Sequence, residues 1–472
     1  MSGTPDRVEL PTIVLVVFDT ARWDRFGCYG YERPTTPTVD ALAEEGLLVE
    51  TMIANGPWTL PSHGSLFTGL YPSQHGSQWQ TGPRLRDSVS VTMPEWLRAL
   101  GYHTICATNN GLISEKTGLS RGFDRYAFRM DLERGRRRLG RRVRKVIAGG
   151  DSGGLIVNRW IRDELRQAPR PTFLFVNYLE CHWAYVPPRR LEKRVGGPRF
   201  GLVEGMRYRA GLARSAGPWE AIARADDRTL DVYGNLYDGE LANADEHLAE
   251  LMGILRETGH VGDRPAIVMV TSDHGEHLGE HRLADHHASL DDHLIRVPFV
   301  AWGPGIVDRR RQARPFELVD VFPSVAHALG RDVSDLGLAG RRSDLLDGGT
   351  ASNGHRYAFS EWRSWSDKER ERLAQRNASY DFTGLGRDLV CVRDERFKLV
   401  RAADGPDRLF DLSDGSGESV DVSSAHPEDV VRLGSELDGA QRSWREWDSG
   451  ETELSESEQA EIEQRLTELG YI

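Results

Sequence analysis

The run Ile13-Val14-Leu15-Val16-Val17-Phe18 is apolar at every position, with none of the alternation expected of a strand that has one wet face. Such a run is too short to cross a bilayer and reads as a strand covered on both faces, the mark of a parallel sheet. Two further runs, 171–178 and 266–272, read the same way, and 103–108 is strand-like. Helical patterns over 38–45, 93–100 and 236–255 lie between them. Strands alternating with helices imply an α/β fold: a doubly wound, mostly parallel sheet flanked by helices. Three of the strands end in polar residues able to bind a metal, at Asp19-Thr20, Glu180-Cys181-His182 and Asp273-His274. Ligands of open α/β sheets bind at the carboxyl ends of the strands, so these ends are the place to look for chemistry.

At 472 residues the chain exceeds the usual size of one domain. We expect a catalytic α/β domain over 1–340, with an insertion at about 125–230 where the strand–helix rhythm breaks. A Gly-, Asp- and Ser-rich stretch at 337–352 suggests a linker. Beyond it, short strands at 389–392 and 397–400, the segment Arg408-Leu409-Phe410-Asp411-Leu412 and a charged helix at about 427–447 imply a small C-terminal α+β domain over 350–472. The formal net charge of −12 argues against a nucleic-acid-binding surface. A basic cluster within 134–145 reads as a solvated helix face of the insertion. Cys28, Cys106, Cys181 and Cys391 form no metal-type or redox pair and are expected to be reduced. The N-terminus carries no basic segment followed by an apolar one, so no secretory signal and no membrane span are expected, and the protein is expected to be cytoplasmic.

Trp58-Thr59-Leu60-Pro61-Ser62-His63 places a hydroxyl at a strand-to-helix turn. Pro61 suits a first helical turn, Ser62 is a natural cap nearby, and Leu66, Phe67 and Leu70 read as a buried helix face. Thr59 then stands at a helix mouth that favours an anion. A hydroxyl is a poor nucleophile at neutral pH and needs a metal or a base. Asp19, Asp273 and His274, with Thr59 as a further oxygen ligand, would hold a divalent cation and ease its deprotonation. Six of the 15 histidines fall at 274, 277, 281, 286, 287 and 293, a density that packing alone does not explain. Some of them should meet the substrate as general acid or charge partner. A dinuclear zinc site is a rival use of the same residues.

Taken together, the chain resembles the sulfatase family of the alkaline-phosphatase-like superfamily over nearly its whole length. The resemblance rests on Leu15-Val16-Val17-Phe18-Asp19-Thr20-Ala21-Arg22-Trp23-Asp24, on Thr59-Leu60-Pro61-Ser62-His63 with Thr68-Gly69-Leu70-Tyr71-Pro72, and on Glu180-Cys181-His182. Ser272-Asp273-His274-Gly275-Glu276, Arg296-Val297-Pro298, Arg396-Phe397-Lys398-Leu399-Val400 and Leu409-Phe410-Asp411-Leu412 extend it. It implies Asp19, Asp273 and His274 as metal ligands and Thr59 as nucleophile and fourth ligand. His182 and His287 would hold the sulfuryl oxygens and protonate the leaving group, and His63 occupies the arginine position of the nucleophile motif.

Two departures matter. Family members with Cys or Ser at position 59 convert it to formylglycine, and threonine cannot yield that aldehyde, so a threonyl ester would have to be hydrolysed by water. Thr20 replaces a second aspartate ligand, and no second metal set is evident, which favours one divalent ion (Ca, Mg, Mn or Zn). The resemblance implies a hydrolase of sulfate esters, or of phosphate or phosphonate esters, acting on a small-molecule or saccharide anionic ester. A phosphoryl-group transferase of the same superfamily and a catalytically weak binding protein are the alternatives.

Overall fold

A computed structural model describes residues 9–78, 83–132, 152–201, 203–205, 207–208, 217–303, 306, 309–340, 344–347, 357–413 and 418–446. The basic cluster of 134–145 lies outside them.

The first strand, β1 (Thr12–Phe18), runs through the middle of the molecule. Its side chains alternate between two cores: Ile13, Leu15 and Val17 pack into one, Val14, Val16 and Phe18 into the other. This double burial is why the run contains no polar position. The remaining strands of the same sheet are β2 (Leu47–Ile53), β3 (His103–Thr108), β4 (Arg125–Phe128), β5 (Thr172–Tyr178) and β6 (Ala266–Thr271). A two-stranded ribbon of β7 (His277–Leu278) and β8 (Ala284–Asp285) follows, and β9 (Arg296–Trp302), β10 (Arg310–Gln312) and β11 (Phe316–Glu317) return to the sheet. The order is β10-β2-β9-β6-β1-β5-β3-β4, with β11 also on β2. β1 pairs in parallel with β5 and β6, while β9 runs antiparallel to β2 and β6, so the sheet is mixed but mostly parallel. Helices cover both faces, among them Gly154–Leu165 and the 31-residue helix Asp227–Glu257, which overruns the expected 236–255 at both ends.

Two features differ from the sequence reading. β4 and β5 both fall within 125–230; β5 is the strand expected at 171–178 and β4 is not one the sequence reading named, so that stretch is only in part an addition to the sheet. The helix that follows β2 begins at Thr59 and runs Thr59–Thr68, with Trp58 as its N-cap. Ser62 is therefore not the cap: it lies inside the first turn and donates its hydroxyl to the carbonyl of Gly56 at 2.6 Å.

The C-terminal sheet is antiparallel, in the order β12 (Ala358–Trp362), β13 (Leu389–Arg393), β14 (Phe397–Ala402), β15 (Arg408–Asp411). The helix Pro427–Glu446 lies on it, burying Leu433, Leu437 and Trp444 with Val392, Leu399 and Leu409. The two sheets meet tightly. Ala358, Trp362, Cys391 and Val400 belong to the same buried cluster as β1, and Asn55 donates to Phe359 O and to Glu317 Oε1 at 3.0 and 2.9 Å. Among the described residues no helix is long and apolar enough to cross a membrane.

Candidate active site

The carboxyl ends of β3, β5, β1 and β6 lie side by side, and each delivers a polar side chain to one place. Asp19 is the first residue after β1, Asp273 and His274 stand just beyond β6, Asn177 is near the end of β5, and Asn110 follows β3. The helix Thr59–Thr68 points its N-terminus at the same spot, where free N–H groups and the dipole favour negative charge. All ten residues of that helix are buried, which fixes Thr59 as firmly as a core residue.

Asp19, Asp273 and His274 are fully buried, and one ligand atom from each lies within 4.8 Å of the others. Their hydrogen bonds are one-sided. Oδ2 of Asp19 accepts from Asn110 Nδ2 at 2.8 Å and Asn177 Nδ2 at 3.0 Å, and Oδ1 has no hydrogen-bond partner. Oδ1 of Asp273 accepts from the backbone N–H of Thr20 at 3.2 Å and of His274 at 3.0 Å, while Oδ2 has none. Nδ1 of His274 lies 2.9 Å from the carbonyl of Gly275. A carbonyl only accepts, so Nδ1 carries the proton, and a neutral His274 presents the lone pair of Nε2. Nε2 lies 3.5 Å from Thr59 Oγ1 and 3.3 Å from Asp273 Oδ2. Asn110 Nδ2 also donates to Thr59 Oγ1, at 3.3 Å. Buried carboxylate oxygens without a donor are costly, and a cation is the ordinary way to satisfy them.

Above this cluster sits a stack of imidazoles. The His286 ring lies 4.4 Å from that of His274, 5.3 Å from His182 and 4.5 Å from His287, centroid to centroid. Burial works against a cation on His286, yet Asp285 at 2.7 Å and Glu276 at 3.6 Å raise its pKa to about 10. Burial pushes His287 the other way, to about 4. His287 packs on Trp58, Trp362 and Trp365. The backbone at Asp285 and Ala288 has φ of 65° and 64°, a left-handed turn on each side of the histidine pair that sets which ring faces His274.

The structure thus brings together Asp19, Thr59, Asp273 and His274, with His182 one ring away across His286. His182 is fixed by Nδ1, which donates to Trp183 O at 2.8 Å. His63 stands behind the turn: its Nδ1 donates to the carbonyl of Thr59 at 3.0 Å, and its ring packs on Phe67 and Phe175. His287 lies farther from His274 than its neighbour does. Thr20 contributes its backbone N–H, at φ 61°, and its hydroxyl has no hydrogen-bond partner. Asn110, Asn177 and Asp285 are residues to which sequence reasoning gave no role, and His286 was named there only as one of the six clustered histidines. Asn177 was detectable as a polar side chain inside an apolar strand.

Comparison with known proteins gives the family. The family model described as Sulfatase matches residues 11–331. The uncharacterized sulfatase YidJ of Escherichia coli (strain K12) is 25% identical over 347 residues, which is 67% of this chain and 67% of that protein. Arylsulfatase K of Danio rerio is 22% identical over 455 residues, covering 89% of this chain and 82% of its own. Among solved structures, the phosphonate monoester hydrolase of Agrobacterium radiobacter has a TM-score of 0.69 at 21% identity, covering 95% of this chain and 99% of its own, which is a likeness of fold.

Proposed function

The chain belongs to the sulfatase family and is a hydrolase of ester bonds, and on that premise we propose that it cleaves a sulfate ester, or a chemically similar phosphate or phosphonate ester, through Thr59 as nucleophile. The observation that carries this reading is the convergence on one hydroxyl of two carboxylate oxygens without hydrogen-bond partners, Asp19 Oδ1 and Asp273 Oδ2, and of His274 Nε2, which lies 3.5 Å from Thr59 Oγ1.

The donor set fits a divalent cation. Hard carboxylate oxygens, a hydroxyl and one neutral imidazole suit calcium, magnesium, manganese or zinc. Asp19, Thr59, Asp273 and His274 would hold the ion, which supplies Lewis acidity that eases deprotonation of the hydroxyl and withdraws charge from the ester. The protein's own residues then have defined tasks. Asn110 orients both Thr59 Oγ1 and Asp19, fixing the direction of attack. Thr59 Oγ bonds to sulfur or phosphorus as the bond to the ester oxygen breaks. The His286 imidazolium, held by Asp285 and Glu276, faces the charge on the ester oxygens. His182 gives a proton to the departing oxygen, the role of a general acid. Water then hydrolyses the threonyl ester, because a secondary alcohol at position 59 has no route to an aldehyde hydrate.

The test is a side-by-side measurement of rates on nitrophenyl sulfate, a nitrophenyl phosphate monoester, a phosphate diester and a phosphonate monoester, for the native protein and Thr59→Ala. Turnover on one of these that Thr59→Ala loses supports the reading. Turnover that survives the substitution overturns it.

A further inference from the structure

A second group of ligands lies outside the candidate active site. His277, at the start of β7, is 2% exposed, and neither of its ring nitrogens has a hydrogen-bond partner. His293 follows the ribbon in the short helix Asp292–Ile295, and its buried Nδ1 also has none. Glu280 completes the group, and one ligand atom from each of the three lies within 4.8 Å of the others. The rings of His277 and His293 are 6.4 Å apart and tilted by 65°, edge to face rather than stacked. Asp291 Oδ2 approaches His277 Nε2 to 3.7 Å.

A buried histidine with both nitrogens idle is expensive, since a neutral imidazole has one donor and one acceptor to satisfy. The charges nearby point to what would satisfy it. Asp24, Glu280 and Asp291 bring three negative charges, and the buried Arg22, paired to Asp24 at 2.7 Å and Glu280 at 2.6 Å, brings one positive. Around the two rings the carboxylates outnumber the guanidinium of Arg22, which favours a cation between them. Glu280 remains able to ligate: its oxygens accept from Arg22 Nη1 and from the Leu278 N–H, and each carboxylate oxygen has a further lone pair. The left-handed turn at His281 and Arg282, with φ of 54° and 61°, brings Glu280 back over the ribbon.

We propose that His277, His293 and Glu280 form a structural site for a divalent cation of the zinc class, with Asp291 in reach as a fourth ligand. Two imidazoles and carboxylates are the ligands that such an ion takes. Bound there, it ties both ends of the segment that carries Asp285 and His286, and fastens that segment to the Arg22 loop after Asp19. This site is separate from the one formed by Asp19, Asp273 and His274.

The experiment removes the active-site ligands first. The Asp19→Asn/Asp273→Asn protein is incubated with zinc chloride, freed of excess metal by gel filtration, and its zinc measured by mass spectrometry, with circular dichroism as a check on folding. One zinc per chain is expected, lost when His277→Gln is added. His293→Gln, at a half-buried position, is expected to lose it too and covers the case in which the first variant does not fold. A zinc-dependent rise in Tm should be present in the double variant and absent from the triple ones. No retained zinc in the folded double variant overturns the proposal, as does zinc binding that neither histidine substitution changes.

Discussion

The imidazole of His286 lies 4.4 Å from that of His274, and Asp285 Oδ1 stands 2.7 Å from its Nδ1 as an ion-pair partner. Asp285 thereby favours a positive charge on the ring that stacks against His274. His286→Ala should lower kcat/KM by about 10²–10³, the usual cost of removing one donor to a developing charge. His286→Lys, which restores the positive charge, should recover part of it. Equal losses in the two variants, in steady-state kinetics on the best ester, would contradict the role.

Thr59→Ala should leave the melting temperature within a few degrees of the native value and remove turnover. Stopped reactions of the native protein should show, by intact mass, a covalent adduct that maps to the peptide containing Thr59. An adduct in the Thr59→Ala protein would assign the nucleophile elsewhere.

Metal removal is the third expectation. EDTA followed by gel filtration should abolish activity, and add-back of calcium, magnesium, manganese and zinc in separate tubes should restore it with one or two of them. Asp273→Asn should raise the metal concentration needed for half-maximal activity by tenfold or more, since an unpartnered carboxylate oxygen is replaced by a neutral one. Full activity after exhaustive chelation would refute metal dependence.

His75 gives a pH signature in stability. Its ring lies against the helix Thr59–Thr68, so close that a Cβ on Gly64 would stand 2.4 Å from its Cε1. Nδ1 accepts from the Ser77 N–H at 3.1 Å, so Nε2 carries the single proton and donates to Pro61 O at 3.1 Å. Burial pushes its pKa down from 6.5 to about 3. The unfolded chain therefore binds a proton that the folded one refuses. The stabilising contribution is complete above 6.5 and is lost as pH falls toward 3, at about 1.4 kcal/mol per pH unit. Urea denaturation at pH 5 and 7 should show this slope, and His75→Gln should flatten it.

Lys398 joins the C-terminal sheet to the segment after His287. Its ammonium pairs with Glu418 at 2.6 Å and Asp292 at 3.0 Å, and also donates to Leu290 O. Lys398→Met leaves Glu418 buried without its counter-ion, although Arg393 still holds Asp292 at 2.6 Å. A loss of about 3–5 kcal/mol is expected by chemical denaturation. A loss below 1 kcal/mol would show that the cluster relaxes without it.

Much of the sheet, and the carboxylates at its strand ends, was legible in the chain because continuous apolar runs carry their own two-sided burial, and a carboxylate at the end of such a run has nowhere to go but the strand's carboxyl edge. Asp19 and Asp273 are of this kind. The choice between His286 and His287 was not legible. Adjacent residues point in different directions according to local backbone, and here the turn is made by Asp285 and Ala288 in left-handed conformations that no glycine announces. Asn110 was hidden for a different reason: its importance lies in a hydrogen bond across strand ends to Asp19, a relation that spacing does not encode. The reversal of β9 likewise depends on how the chain returns after the ribbon.

The Thr20 backbone donates to Asp273, 253 residues further along the chain. A polypeptide emerging from the ribosome therefore has its hydroxyl, its first carboxylate and its helix mouth long before the other half of the centre exists. Until β6 pairs with β1, Asp273 and His274 cannot join Asp19 and Thr59, and the candidate centre stays incomplete. Recovery of turnover after refolding should accordingly report closure of the whole sheet, and report it later than any signal from local helix formation.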